Sequence, residues 1–309
     1  MALPSPGVAV RAPAAPRATL PSGAGRPGRP YAGPARPLPT QSSWRWADRW
    51  ADPTLKAAAA FWALVALAGQ LLFAFYVASF YGGAVWQGHI ALWNKVLPHG
   101  YVAGQPLGNA AVGAHLALAV LIIVGGAIQQ LPAVRRLAPA LHRWNGRLYL
   151  LNAVAISLIG LFMVWTRGAV GDLSQHLAIS LNALLILLCA AVAWRHAVAR
   201  RFGLHRRWAL RLFLMVSGVW FFRVGLMFWL VLNQKPVGFD PATFQGPFLT
   251  FLAFGQTLIP LAVLEIYLRV QDGPSSAGRF VMAGGLVLLT LMMGVGIFGA
   301  SLMMWLPHL

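Results

Sequence analysis

The stretch "LHRWNGRLYLL", residues 141–151, places a histidine and two arginines directly before a long apolar run. A closely related phrase, "LHRRWALRLFLM", occupies residues 204–215 and is also followed by apolar residues. Each run approaches the length of about 20 residues that a helix needs to cross a bilayer. The repeated phrase therefore marks the start of two related helices, and it indicates either a duplicated scaffold or a duplicated site.

The composition of the whole chain is that of a membrane protein. It is 59% hydrophobic and only 10% charged, whereas soluble domains average about 25% charged residues. The apolar runs are continuous rather than alternating, which favours helices over a barrel. The sequence therefore predicts an all-α polytopic bundle of about seven transmembrane helices, here called predicted helices 1 to 7, at 57–80, 111–131, 147–166, 175–194, 209–232, 247–268 and 280–305.

The first 43 residues have a different composition from the rest. They are rich in Pro, Ala, Gly and Arg, and no acidic residue occurs before Asp48. This composition predicts a disordered cytoplasmic tail at 1–43 and a transmembrane helical domain at 44–309. No apolar segment follows the early charges, so a signal peptide is not expected. An over-extended start of the reading frame is the alternative.

The net charge of +18 is distributed unevenly between the two sets of loops. By the positive-inside rule this asymmetry places the N-terminus in the cytoplasm and the C-terminus outside. Basic loops at a membrane face are expected to contact anionic lipid headgroups, so a nucleic-acid partner is not expected. One set holds Arg135, Arg136, Arg143, Arg147, Arg195, Arg200, Arg201, Arg206, Arg207, Arg211, Arg269 and Arg279, and the other holds only Lys95, Arg167 and Lys235.

Four histidines repeat with the helices. His115 begins "HLALAV" and His176 begins "HLAISL", and their separation nearly equals that between His142 and His205. This predicts a tandem hairpin repeat formed by predicted helices 2–3 and 4–5. Because successive helices alternate in direction, His115 and His176 are expected at one depth near the outer face. His142 and His205 are expected together near the cytoplasmic face.

Two pairs of histidines suggest a metal cofactor, because neutral imidazole is an axial ligand of haem iron and helical bundles clamp porphyrins. Predicted helices 2 to 5 resemble the di-haem transmembrane cytochromes b of the ascorbate-reducible type. The resemblance implies that His115 pairs with His176, and His142 with His205, as iron ligands of one or two b-type haems. Arg223, in "VWFFRVGLMFWL", is a costly intramembrane charge. It is expected to meet a haem propionate or the carbonyls of a neighbouring helix.

Other interpretations of these residues remain open. The two HR phrases are also typical of interfacial anchors, whose Arg side chains reach lipid phosphates. His115 and His176 are alternatively packing or interfacial histidines. The remaining histidines, His89, His99, His196 and His308, are read as solvated.

Other polar side chains in the apolar runs are expected to form ion pairs or hydrogen bonds. Glu265 is expected to pair with Arg269, four residues later on the same helix. Asn152, Asn182 and Gln256 are candidates for interhelical hydrogen bonds.

A second resemblance is more specific. "GAIQQLPAVRRLAPALHRWNGRLYLL", residues 126–151, followed by "LHRRWALRLFLM", resembles a bacterial family of predicted membrane proteins catalogued as domain of unknown function 2306. The resemblance covers roughly residues 85 to 230. It implies a multi-pass protein of the bacterial inner membrane and carries no established activity.

Two functions follow from these features. The first is a b-type haem protein that passes electrons across or within the bilayer, with an electron donor and acceptor that the sequence does not identify. The second is a non-enzymatic transporter or sensor that binds a lipid or small molecule. Transporters favour helices interrupted by Gly or Pro near the midplane, and Pro260 is the one such interruption expected here.

Overall fold

The computed structural model describes residues 44–168 and 171–309, so the predicted tail at 1–43 lies outside the described residues. The described chain is helical and contains no β-strand. Two π-helical segments, Ala78–Gly82 and Ser301–Trp305, extend α1 and α10. The α-helices are α1 Trp44–Val77, α2 Gly83–Trp86, α3 Pro106–Gln130, α4 Pro132–Leu137, α5 Pro139–Thr166, α6 Leu173–Val198, α7 Phe202–Val216, α8 Gly218–Asn233, α9 Pro247–Asp272 and α10 Ser276–Ala300.

The helices are long and apolar enough to span a membrane. Six described segments qualify by themselves, and the bent pair of α7 and α8 raises the number to seven if it forms one span. The prediction of an all-α membrane bundle with about seven spans is confirmed. The orientation of the N-terminus, read from the arginine asymmetry, stays a prediction.

Local sequence explains where the spans begin. Proline occupies the first turn of α3, α5 and α9, where its fixed φ suits a helix and its missing N–H is not needed. Asp172 caps α6 by accepting hydrogen bonds from the backbone N–H groups of Ser174 and Gln175. Ser275 caps α10 by accepting from the N–H of Gly278. These residues satisfy donors that would otherwise be left unpaired at the helix starts.

Predicted helix 5 is not continuous, and the expectation of one unbroken helix over 209–232 is wrong. The chain breaks between α7 and α8 with a bend of 54°. Ser217 stands at the break, and its hydroxyl donates to the Phe213 carbonyl at 2.7 Å. Serine that bonds back to a carbonyl one turn earlier bends helices, and Gly–Ser pairs are typical kink positions. From α1, the Gln70 amide donates to the Ser217 hydroxyl at 2.9 Å.

The spans form a closed ring. α1 packs against α3 and α10, α3 packs against α5, α5 against α6, α6 against α7, and α8 returns to α10. α9 contacts α6, α7 and α8. The pairs α3–α5 and α6–α7 correspond to the two hairpins expected from the sequence repeat, and their origin by duplication stays a prediction.

Glycine allows the closest helix crossing in the ring. A Cβ atom on Gly296 of α10 would meet the backbone carbonyl oxygen of Val224 on α8 at an impossible distance. Backbone cannot move aside as a flexible side chain can, so only glycine is compatible with this crossing. Small residues at such positions allow close helix packing in lipid, where no hydrophobic force draws helices together.

We expect Gly296→Ala to destabilise the protein by about 1–3 kcal/mol, the usual cost of overpacking, because α8 and α10 must separate. Thermal unfolding in detergent measures the change. Gly294→Ala is the matched control, because a Cβ atom there meets nothing within 4 Å. It should leave Tm unchanged or raise it. Equal melting of the two variants would contradict the close crossing.

Candidate functional site

The ring of spans encloses a cavity of about 170 Å³, here called the central cavity, which is lined by α1, α3, α5, α6, α7 and α8. An engineered cavity of about 150 Å³ with an apolar lining binds benzene, so the central cavity has the size for a small ring compound. Its lining differs in being partly polar. The polar lining residues are Gln70, Tyr76, Tyr81, His115, Tyr149, Ser157, Asn182, Ser217 and Arg223.

Arg223 provides the one cationic side chain in this lining. Its Nη1 donates to the Val219 carbonyl of its own helix at 3.2 Å, not to a neighbouring helix as expected. Its guanidinium carbon lies 5.3 Å from the centroid of the Phe73 ring. Tyr76 and Tyr81 are close enough to interact with it electrostatically. A carbonyl and aromatic rings do not neutralise the charge, and an unneutralised charge inside a membrane is costly.

The carboxylates of the protein are all elsewhere. The chain has only six acidic residues, all within the described part. Asp172 caps α6, and Asp240 accepts hydrogen bonds from Ala242 and Thr243 in the loop before α9. The other four, Asp48, Asp52, Glu265 and Asp272, are bonded to serine or arginine at the end of the bundle where α7 and α10 begin. Arg223 therefore has no carboxylate partner.

His115 faces the central cavity from α3. Its ring packs against Gly160 of α5, where an added Cβ atom would lie 3.4 Å from the histidine Cε1. Its Nδ1 is shielded from solvent and makes no hydrogen bond of normal geometry among the described residues, although the Ile156 backbone is close to the ring. The ring is close enough to Arg223 for the two to interact electrostatically. His115 is thus positioned to contact whatever Arg223 binds.

Three of the shielded polar atoms without a hydrogen-bond partner of normal geometry lie at this cavity. Besides His115 Nδ1, the Trp220 Nε1 and the Tyr76 hydroxyl are shielded and make no hydrogen bond of normal geometry among the described residues. All three side chains line the central cavity, although Tyr81 lies beside Tyr76. Buried polar groups in folded proteins are nearly always hydrogen-bonded. Three exceptions around one cavity that also holds a lone cation indicate a site for a polar ligand.

The break between α7 and α8 contributes to the same site. Ser217, Val219 and Trp220, at the start of α8, line the central cavity. The N-terminus of a helix carries a partial positive charge that favours anions. The C-terminus of α7, which carries the opposite partial charge, ends at the same point, so the bend supplies polar backbone groups to the cavity rather than a net charge.

Aromatic rings close the cavity at one end. Trp93 is 4% exposed, and its Nε1 donates to the Tyr81 carbonyl at 3.2 Å. His308 packs against the rings of Tyr76 and Phe80 at 6.4 and 5.4 Å, so it is not simply solvated as expected. The ring cluster is therefore continuous with Tyr76 and Tyr81, which line the cavity.

The predicted outer pair of histidines lies in two different surroundings. His115 lines the central cavity, whereas His176 is not in its lining. The His176 ring instead packs edge-on against Trp165 of α5, with 6.2 Å between the ring centroids. Trp165 is 56% exposed, so this contact lies toward the outer surface of α5 and α6.

The two histidines of the predicted inner pair, His142 and His205, lie within the range of an electrostatic interaction. The His205 Nδ1 lies 3.0 Å from the Ala193 carbonyl, so an N–H there donates to that oxygen and leaves Nε2 as an acceptor. His196, read from the sequence as solvated, is instead 7% exposed and interacts with His205. Sequence periodicity could have indicated this, since His196 continues the buried stripe of Cys189 and Ala193 on α6.

The cytochrome resemblance implies a haem, and the positions of the histidines show whether one fits. A porphyrin between His115 and His176 needs a gap lined by both imidazoles. The central cavity contains only one of them and is little larger than a benzene site, so it does not fit that group. No cluster of three or more His, Cys, Asp or Glu side chains in the described chain is arranged to hold a metal ion.

Of four expectations about side-chain bonds within the spans, two are confirmed and two are wrong. The Asn152 amide of α5 donates to the Leu118 carbonyl of α3 at 3.1 Å, and Asn182 accepts from the Thr257 hydroxyl of α9 at 3.0 Å. The other two fail because spacing within one helix does not show which helix packs beside it. Gln256 bonds Ala253 of its own helix, and Glu265 pairs with Arg211 of α7 at 2.7 and 2.9 Å rather than with Arg269.

The apolar spans, the closed helical ring and the polar cavity define a multi-pass integral membrane protein. Residues 112–259 match the model of the family described as "Predicted membrane protein (DUF2306)". This match confirms the family resemblance read from the sequence. It runs from α3 into α9 and includes the four predicted haem-ligand histidines and Arg223. No curated protein and no solved structure matches the chain.

The Arg211–Glu265 pair should contribute more to stability than the more exposed Arg207–Asp272 pair. The Arg211 and Glu265 side chains are 17% and 34% exposed, so Arg211→Gln should cost about 2 kcal/mol, less than the 3–5 kcal/mol of a fully buried pair. Arg207→Gln is the control, because it breaks the Arg207–Asp272 pair, whose side chains are 39% and 53% exposed. Exposed pairs contribute about 0–1 kcal/mol. Thermal unfolding that ranks the two variants in the opposite order would contradict this assignment.

Proposed function

We propose that this protein is a non-enzymatic transporter or sensor that binds a small organic anion in the central cavity. The observation that carries the proposal is Arg223, a guanidinium inside the bundle that faces a cavity and has no carboxylate partner. Intramembrane charges of this kind mark ligand or ion sites because their cost requires compensation. An anionic ligand supplies that compensation, and none of the protein's own acids is near.

The lining favours a planar carboxylate. A guanidinium presents paired N–H donors that match the two oxygens of a carboxylate. The Trp220 Nε1 is a further donor without a partner among the described residues, and the Tyr76 hydroxyl, which interacts with Tyr81, lies in the same lining. The volume of about 170 Å³ restricts the ligand to a size near that of one six-membered ring with a carboxylate. Benzoate is therefore a suitable probe of the site.

Broken helices support the transporter interpretation. Transporters place substrate sites near the midplane beside discontinuous helices, and the bend of 54° at Ser217 borders the central cavity. The aromatic cluster around Trp93 closes one end. Toward the other end, the rings of Tyr149 and Phe213 converge beside Gly126 of α3, where a Cβ atom would lie 3.2 Å and 3.6 Å from them. Aromatic rings therefore lie toward both ends of the cavity, and alternating access would require such rings to move in turn.

We expect benzoate to stabilise the detergent-solubilised protein in a saturable manner. At ten times its Kd, a ligand that binds only the folded state contributes about 1.4 kcal/mol, which raises Tm by a few degrees. Benzyl alcohol has nearly the same shape without the charge and should have a much smaller effect. Uptake of labelled benzoate into proteoliposomes then distinguishes a transporter from a sensor.

Arg223→Gln should weaken benzoate binding more than tenfold, because a charged hydrogen-bonding partner is lost. Arg167→Gln is the matched control, since Arg167 donates to Asn109 outside the cavity lining. His115→Phe keeps an aromatic ring and should reduce the affinity by less. Equal binding by the Arg223 and Arg167 variants, or equal stabilisation by benzoate and benzyl alcohol, would overturn the proposal.

A b-type haem at the inner histidine pair is the second candidate function. It is supported by the proximity of His142 and His205 and by the Nδ1 bond of His205 to the Ala193 carbonyl, which is the usual way that an imidazole ligand is oriented. A haem there would carry one electron, and the donor and acceptor are unidentified.

A reduced-minus-oxidised spectrum of protein expressed with ample haem tests this candidate. Haem absorbance that is present in the parent protein, absent after His142→Ala or His205→Ala and retained after His115→Ala would support it. Absence of haem bands from the parent protein would reject it and leave the anion proposal untouched.

A further inference from the structure

A second and larger cavity lies on the side of the ring where α9 packs. It has a volume of about 670 Å³ and is lined by α1, α7, α8, α9 and α10; we call it the lateral groove. Along α9 its lining extends from Leu252 to Gln271, which is about 28 Å at 1.5 Å per residue. One leaflet of a bilayer is roughly 15 Å deep, half of a hydrocarbon core of about 30 Å. The groove is therefore long enough to hold an entire acyl chain.

The groove is amphipathic along its length. Its body is lined by aromatic and aliphatic side chains such as Phe228, Leu252 and Met293. Its polar lining, apart from Gln256, is gathered at one end, where Lys56 and Arg206 are exposed. The same end holds Gln130, Tyr267 and Gln271, and the Gln271 amide donates to the Tyr267 hydroxyl at 3.4 Å.

The two cations at this end are not neutralised by the protein. Every carboxylate nearby is already used: Asp52 pairs with Arg279 at 3.1 Å, Asp272 pairs with Arg207 at 2.6 Å, and Glu265 pairs with Arg211 at 2.7 Å. The remaining one, Asp48, accepts a hydrogen bond from the Ser276 hydroxyl. Within the described residues, Lys56 and Arg206 therefore have no carboxylate partner, although they flank one groove.

We infer that the lateral groove binds an anionic phospholipid, with its phosphate held by Lys56 and Arg206 and one acyl chain lying in the apolar body. Charge complementarity selects this occupant. A zwitterionic headgroup brings its own cation beside Lys56 and Arg206, and an apolar partner helix leaves both cations unpaired. Basic residues near a membrane surface attract anionic lipid in proportion to their number. Here Lys56 and Arg206 lie at the end of a groove that can hold the acyl chain.

Native mass spectrometry of the full chain in detergent tests the inference with phosphatidylglycerol and with phosphatidylcholine of identical acyl chains. The unmodified protein should retain phosphatidylglycerol as a discrete adduct and retain much less phosphatidylcholine. Lys56→Gln with Arg206→Gln should lower the affinity for phosphatidylglycerol about tenfold or more, from the attraction of two headgroup cations. Arg136→Gln with Arg195→Gln is the matched control, because it removes two exposed cations from the same arginine-rich loops outside the groove lining.

A second variant tests binding of the acyl chain independently of the headgroup. Ala63 of α1 lines the groove, and Ala63→Trp fills part of it while leaving both cations in place. It should reduce retention of phosphatidylglycerol, and unchanged thermal unfolding would show that the fold is intact.

Three outcomes would overturn the inference. These are equal retention of the two lipids, equal loss in the Lys56/Arg206 and Arg136/Arg195 variants, and displacement of phosphatidylglycerol by equimolar oleate. The last would assign the groove to a free fatty acid.

Discussion

In hydrocarbon, every backbone N–H and C=O must find a partner inside the protein, and this constraint determines the architecture. It makes each span a helix, and it makes any interruption of a span conspicuous. The interruption at Ser217 is tolerated because side chains bond there: the Ser217 hydroxyl bonds the Phe213 carbonyl, and Gln70 of α1 bonds the hydroxyl in turn. The bend is thus tied to a neighbouring helix, and it brings the first turn of α8 to the central cavity.

Because polar partners are scarce inside the membrane, the position of a charged side chain there indicates where a partner is needed. With 24 basic and only six acidic residues, most cations of the chain cannot have a carboxylate partner, so an unpaired cation is informative only where it lies inside the bundle or beside a cavity. Arg223 faces the central cavity, and Lys56 with Arg206 flanks the lateral groove. Glu265 and Arg211 illustrate the opposite case, in which a charge within a span is compensated by a partner on the adjacent helix.

Sequence alone was sufficient for features that depend on one segment at a time. Apolar length gave the number of spans, and Asn152 and Asn182 were identified as interhelical donors or acceptors because buried amides must bond somewhere. Features that depend on which helices are neighbours could not be predicted from the sequence. The sequence offered Pro260 as the site of a helix break, yet α9 continues through it. The actual break is at Ser217–Gly218, where the bonding partner, Gln70, is remote in the chain. His115 was found as a candidate, but its neighbours across the cavity, Tyr76 and Trp220, were not.

The central cavity and the lateral groove share a wall, so the break between α7 and α8 borders both of them. Phe213 lines both the central cavity and the lateral groove, and its carbonyl accepts the hydroxyl hydrogen bond that defines the bend at Ser217. A rotation of α8 about that bend moves Trp220 and Arg223 on the cavity side and Phe221 and Val224 on the groove side together, since all four belong to one short helix. Occupants of the two sites would be coupled through α8 if this helix has more than one orientation about the bend and each occupant stabilises a particular one.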